Sequence, residues 1–151
     1  MQVQELAFPQ YSFRFKSSEN KPYIFDAIRK KFVRLQPEEW VRQHVICYLK
    51  ETHKYPVSLI NVEKQIKVKK TSKRYDIVVF KPDGSIFLIV ECKAHTIPIT
   101  QQTFDQIARY NLELQAQYLM VTNGLKHYYC TLDYDQKQYH FLEELPTYER
   151  E

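Results

Sequence analysis

A chain of 151 residues with 44% apolar content is long enough to bury one core, and its net charge of only +4 does not announce a nucleic-acid binder, so local clustering must carry any such argument. Its two glycines, Gly84 and Gly124, lie too far apart for a GxxxxGK[ST] phosphate loop, so any ATP-driven motor belongs to another protein. Three cysteines without a CxxC pair argue against a zinc site or disulfide framework and for a reducing cytoplasm; no run approaches the roughly 20 apolar residues of a membrane span, and MQVQELAFPQ lacks the features of a signal peptide.

In chain order, Tyr11 to Lys16 alternates aromatic and polar residues as a half-buried strand does. Ser17-Ser18-Glu19-Asn20 reads as a turn and Lys21 to Phe25 as the returning strand, a hairpin that precedes the main fold. Arg29, Lys30, Lys31 and Arg34 form a basic cluster consistent with a solvated turn. Pro37 suits the first position of a helix, with Glu38 and Glu39 complementing its dipole. Trp40, Val41, His44, Val45, Tyr48 and Leu49 continue it to about His53 with one buried face.

Leu59 to Val68 is a first core strand, interrupted by Glu63 and Lys64. The run from Lys64 to Arg74 carries Lys69, Lys70, Lys73 and Arg74 without an acid, a candidate phosphate contact. It leads into RYDIVVFKPDGSIFLIVECKA, two apolar strands in which Asp76, Glu91 and Lys93 are costly unless they serve a purpose. If Asp83-Gly84 is a two-residue hairpin loop, Pro82 faces Ser85 and, counting back, Asp76 faces Glu91. A four-residue loop would keep that parity; a three-residue loop with a bulge would change it. Opposed carboxylates repel unless a cation sits between them, and hard oxygen ligands suit Mg²⁺ or Mn²⁺. Lys93 emerges on the face of Glu91, and Cys92 points into the core.

After a loop from His95, the only histidine near this motif, Thr100 caps a helix from Gln101 to about Ala116, with Gln106 and Tyr110 sharing a face. Tyr118 to Thr122 is a fourth strand, Asn123-Gly124 a hairpin signal, Leu125 to Leu132 a fifth strand and Gln138 to Leu142 a sixth on the edge; the tail from Pro146 is expected to fray. The first three core strands form an antiparallel meander. A right-handed helical crossover then makes the third and fourth parallel, giving an α/β mixed sheet with a helix on each side. A single domain over 1–151 is expected, with 1–36 as the extension and 37–145 as the core.

Asp76 followed by Glu91-Cys92-Lys93 on the next strand resembles the PD-(D/E)XK nuclease superfamily, with Tyr75 in the place of the family's proline. LQPEEWVRQHV, KRYDIVVF, LIVECKA, FDQIARYN and LMVTNG resemble, in order, the N-terminal nuclease domain of the type I restriction enzyme restriction subunit, over roughly Phe25 to Tyr129. The resemblance implies a restriction-endonuclease-like three-layer fold and a Mg²⁺- or Mn²⁺-dependent endonuclease acting on DNA. It implies Asp76 and Glu91 as metal ligands with the Cys92 carbonyl, Lys93 as the catalytic lysine, Gln106 and Tyr110 as a supporting QxxxY motif, and Glu39 as the acid from the first helix, with Glu38 and Glu63 as rivals. It implies DNA and a separate ATP-driven motor or restriction-modification subunits as partners, since the chain ends where the family's motor would begin. The competing reading is a non-catalytic module of the same fold that binds nucleic acid or a motor; RNA as substrate also stays open.

Overall fold

The structure, a computed structural model, describes residues 3–68 and 70–148. It opens with a three-stranded antiparallel sheet, β1 (Phe15–Ser18), β2 (Lys21–Asp26) and β3 (Lys31–Arg34). The expected hairpin thus gains a third strand inside the basic cluster. Its first turn is only Glu19-Asn20, both at positive φ (51° and 64°), which suits the right-handed twist of the strands it joins.

The first helix, α1 (Pro37–Cys47), continues as a wide helical turn over Tyr48–Thr52. Strands β4 (Ile60–Val68), β5 (Thr71–Phe80) and β6 (Ile86–Cys92) form the meander. The second helix, α2 (Gln101–Asn111), starts at Thr100, whose side chain accepts from Thr103 N–H, and ends earlier than expected in a tight turn closed by Gln115 at φ 56°. It leads to β7 (Tyr118–Thr122), parallel to β6, and then to antiparallel β8 (His127–Asp133) and β9 (Gln138–Leu142). The six strands lie in chain order.

Each face of this sheet buries a core. Val41, Val45 and Leu49 of the first helical segment pack with Ile77, Val79, Leu88, Val90 and Met120. Phe104 and Ala108 of α2 pack on the other face with Val78, Ile89, Leu119 and Val121. Ile24 of the N-terminal sheet joins the first core. The tail does not fray at Pro146: Leu145 and Tyr148 are buried, and Tyr148 donates to the Phe80 carbonyl.

The β5–β6 connection departs from the two-residue reading. Gly84 N–H donates to Lys81 and Lys81 N–H to Ser85, so the loop is Pro82-Asp83-Gly84, with Pro82 needing no donor and Gly84 at φ 89°. That loop shifts the register by one, pairing Phe80 with Ile86; an extra residue, Phe87, shifts it back, so Val79 pairs with Leu88 and Ile77 with Val90. The bulge also places Phe87 and Leu88 in the same core.

Candidate active site

Pairing between β5 and β6 stops at Ile77 and Val90. Beyond that rung β5 runs on beside β4, while β6 runs on beside β7 through Glu91–Val121 and Cys92–Thr122. Asp76 and Glu91 occupy the next rung at this fork without pairing through their backbones. The Asp76 carboxylate instead accepts the Cys92 N–H at 2.8 Å.

A second irregularity lies at the same level. Glu63, between the pairs Val62–Ile77 and Lys64–Tyr75, has a φ of 56°. Strand β4 places Ile60 and Val62 on the α1 side but Ile66 on the α2 side, and β5 likewise places Ile77 on the first and Tyr75 on the second. Both strands therefore exchange faces at Glu63 and Asp76, leaving these acids at the margin of the two cores. A non-glycine residue in this conformation costs on the order of 1–3 kcal/mol and persists only where its surroundings hold it.

What holds it is Arg42 of α1. Its guanidinium lies 2.6 Å from Glu39, 2.7 Å from Asp76 and 2.8 Å from Glu63. Burial alone would lower the Arg42 pKa, but Asp76 and Glu39 more than offset it and the value rises. Glu39 also accepts from Arg29 and Gln43, and both of these reach the buried Asp26 of β2. Burial would raise the pKa of Asp26, but hydrogen bonds from Arg29 and Gln43 hold it below its ordinary value. An ion network therefore runs from the N-terminal sheet through α1 to the fork.

Glu91 takes its counter-charge from Lys73, at 3.1 Å. Burial, and then the charge of Asp76, push Glu91 up, against Lys73 and Lys93. The Lys73 ammonium also lies 4.1 Å from the centre of the Tyr110 ring, which ties α2 to the fork. Glu38, adjacent to Glu39 but directed elsewhere, is pushed up by partial burial and by Asp76, while Arg42 and Lys93 draw it down. Lys93 makes no ion pair within 4 Å among the described residues.

The fork thus brings together Asp76, Glu91 and Lys93, with Glu38 and Tyr110 alongside. Glu39 lies beneath it, saturated by Arg29, Arg42 and Gln43. Gln106 is exposed on α2. Of the basic run, Lys70 is exposed in the turn, Arg74 is exposed with Glu63 at 3.7 Å, Lys73 is committed to Glu91, and Lys69 lies outside the described residues. His95 lines a separate groove with Trp40 and Leu35. Arg42, Gln43 and Asp26 escaped the sequence reading, and Arg29, expected in a solvated basic turn, is instead paired with Asp26 and Glu39; the one local signal was the spacing of three and four between Glu39 and Arg42-Gln43.

No group of three His, Cys, Asp or Glu side chains able to cage a metal occurs among the described residues. Mg²⁺ does not need one, since it is commonly bound by one or two carboxylates and completed by water and phosphate. Arg42 and the Cys92 N–H take only two of the roughly four lone-pair positions of Asp76. The Cys92 thiol, held protonated first by burial and then by Asp76, is no competing soft ligand. The donor set therefore fits a hard divalent cation.

The family model for the type I restriction enzyme R protein N terminus matches residues 37–146. The chain belongs to this family. The match begins at the first residue of α1 and ends beyond β9, so it contains the fork, Arg42 and Lys93 but leaves out the N-terminal sheet. No match is found among curated proteins. The family carries the restriction-endonuclease-like fold, nuclease-related function and a restriction-modification context expected from the sequence. Among the described residues, no helix is long and apolar enough to cross a membrane.

Proposed function

We propose that the chain is a Mg²⁺- or Mn²⁺-dependent nuclease that hydrolyses phosphodiester bonds in DNA. The observation that carries this reading is the fork, where Asp76 and Glu91 lie one rung beyond the last β5–β6 pair and the charge of Lys93 acts on Glu91, in a member of the R protein N-terminus family. Asp76 and Glu91 hold the metal, with the Cys92 carbonyl as a further ligand. When bound, the metal lowers the pKa of its water and offsets charge on the phosphate. Lys93 orients the attacking water or steadies the charge gathering on phosphate oxygen. Glu38 supplies the acid from the first helix in preference to Glu39, whose oxygens are already taken. Tyr110 steadies Lys73 beneath Glu91, Gln106 on the same exposed helix face meets the strand, and Lys69, Lys70 and Arg74 contact the DNA backbone. The free thiols suit a reducing cytoplasm, where an ATP-driven motor or other restriction-modification subunits would be partners.

The test is incubation of the purified chain with linear, nicked, branched and single-stranded DNA in Mg²⁺, Mn²⁺ or chelator. Cleavage should need the metal and disappear in Lys93→Ala with the fold unchanged. Absence of cleavage on every substrate, or cleavage that survives Lys93→Ala, would sink the reading.

A second reading has its own support: Asp76, Glu91 and Glu39 are each paired with a side-chain cation, as in a purely structural network. On that reading the chain is a binding module for nucleic acid or a motor. Mn²⁺ titration followed by electron paramagnetic resonance separates the two, because only the nuclease reading expects a bound ion lost in Asp76→Asn.

A further inference from the structure

The outer face of the N-terminal sheet lies outside the family match and takes no part in the fork. We infer that it is a stacking platform for unpaired nucleotides of single-stranded nucleic acid. The register carries the argument. The Arg14 carbonyl accepts from Phe25 N–H and so extends β1 by one rung; Phe25 pairs with Phe32, and in the next row Lys16 pairs with Tyr23 and Tyr23 with Arg34. Side chains on opposed residues share a face. The result is a grid of two rows, Arg14–Phe25–Phe32 and Lys16–Tyr23–Arg34.

The opposite face is accounted for: Ile24 and Asp26 are fully buried, and Phe15 lies against Trp40. On the outer face the three cations are exposed and the three rings half-buried. The remaining positions on the sheet there, Ser18 and Lys21, add no acid; Glu19 sits in the turn at one end, and Glu51 with Lys50 lines the groove beside Arg14 and Phe25. Arg14 Cζ lies 4.5 Å from the Phe25 ring centre and 5.6 Å from that of Phe32, and Lys16 Nζ lies 4.6 Å from that of Phe32. The cations thus already lie over the rings.

Ring faces set among cations are what an unpaired strand needs, because every base presents a π-face and every linkage a negative charge. A duplex hides its base faces and offers only its phosphates. An acidic protein partner would satisfy the cations but has no use for three rings in register. The Asp26–Arg29–Glu39–Arg42 network fixes this sheet to the body that carries the fork, so a strand held here is held by the same rigid unit. Binding at this face requires neither metal nor Lys93, and the inference stands apart from the nuclease reading.

Fluorescence anisotropy in chelator tests it, with labelled oligothymidylate, oligouridylate and a DNA duplex, each of about 16 nucleotides per strand. A single strand should bind more tightly than the duplex, and preference between the DNA and RNA strands identifies which one the face takes. Phe32→Leu keeps the apolar bulk but removes the ring, and should weaken single-strand binding by about ten-fold. The Arg14→Ala/Lys16→Ala pair should lower the slope of log K against log salt by about 1.4, near 0.7 for each lost phosphate contact. Equal binding of duplex and single strand, or no change in either variant, overturns the inference. Should Phe32→Leu fail to fold, photocrosslinking of iodouracil-substituted oligonucleotide to the unmodified chain decides: adducts within residues 14–34 support the platform, and adducts confined to other segments overturn it.

Discussion

Replacing Arg42 with methionine asks whether ion pairing holds the acids of the fork. Methionine keeps an unbranched apolar stem but no charge. In the native chain the Arg42 side chain is 9% exposed and lies within 2.8 Å of Glu39, Asp76 and Glu63. Removing one partner of a buried pair costs about 3–5 kcal/mol, because the remaining charge is stranded. Glu39 keeps Arg29, and Glu63 is partly exposed near Arg74, so most of the loss falls on Asp76. Arg42 Nε is itself buried without a partner, and deleting it returns part of the loss. The low end, about 3 kcal/mol, is therefore expected. At about 2–4 °C per kcal/mol this lowers the melting temperature by roughly 6–12 °C. Urea denaturation in chelator measures the loss directly. On the nuclease reading, Mg²⁺ should restore part of it by replacing the missing charge beside Asp76, and should move the native chain less. A loss below about 1 kcal/mol, the size of an exposed ion pair, would refute the reasoning.

Three further perturbations read other parts of the same structure. His44, His53 and His127 are all lowered, first by burial, so the unfolded chain binds more protons than the folded one as pH falls below 6.5. Stability should decline through that window in urea melts taken from pH 7.5 downward, and His44→Phe should flatten the decline; an unchanged slope contradicts the account. Asp26→Asn removes a charge that accepts from the backbone N–H groups of Ile28 and Arg29 and from the side chains of Arg29 and Gln43, and should cost about 1.5–3 kcal/mol by chemical denaturation. The two glycines separate conformation from packing. Alanine at Gly84 (φ 89°) meets open space and should cost about 1–2 kcal/mol, whereas at Gly124 (φ 88°) its Cβ would meet Leu6 at 2.8 Å and Val41 at 3.0 Å, adding about 1–3 kcal/mol. Equal melting temperatures for the two variants would show that Leu6 and Val41 yield without cost.

The main sheet was legible because its strands are separated by local signals: Pro82-Asp83-Gly84, the Thr100 cap and Asn123-Gly124 each act within a few residues. Yet the register between β5 and β6 was reached from a loop one residue too short. A second one-residue shift, at Phe87, cancels the first. Nothing near Phe87 signals that bulge. Its cause is spatial: the ring packs among Tyr55, Tyr118 and Tyr148 at centroid distances of 5.9, 5.2 and 4.9 Å, partners far away along the chain. The exchange of faces at Glu63 was illegible for a related reason. Ile60, Val62 and Ile66 alternate as if on one face, and only the ion pair with Arg42 makes the interruption between them worthwhile.

The choice between Glu38 and Glu39 shows where local reasoning stops. Successive residues on a helix point about 100° apart, so only one of the two can enter a given cluster. Which one depends on how α1 is turned, and that is set by Val41 and Val45 entering the sheet core. In that orientation Glu39 falls beneath the N-terminal sheet, where Asp26 and Arg29 await it, and Glu38 is left toward Asp76 and Lys93. Both acids serve equally well for the helix dipole, and both fit the spacing of the PEEW motif. The asymmetry between them comes from β2, a strand outside the family match, whose buried aspartate no local signal connects with the fork. Glu38→Gln and Glu39→Gln should accordingly part company. The first should leave the melting temperature close to native while weakening Mn²⁺ binding at the fork. The second should lower the melting temperature by several degrees, because the bonds from Arg29 and Arg42 lose their charge. If the two variants melt alike, the network does not discriminate between neighbouring acids, and the assignment of Glu38 to the fork loses its basis.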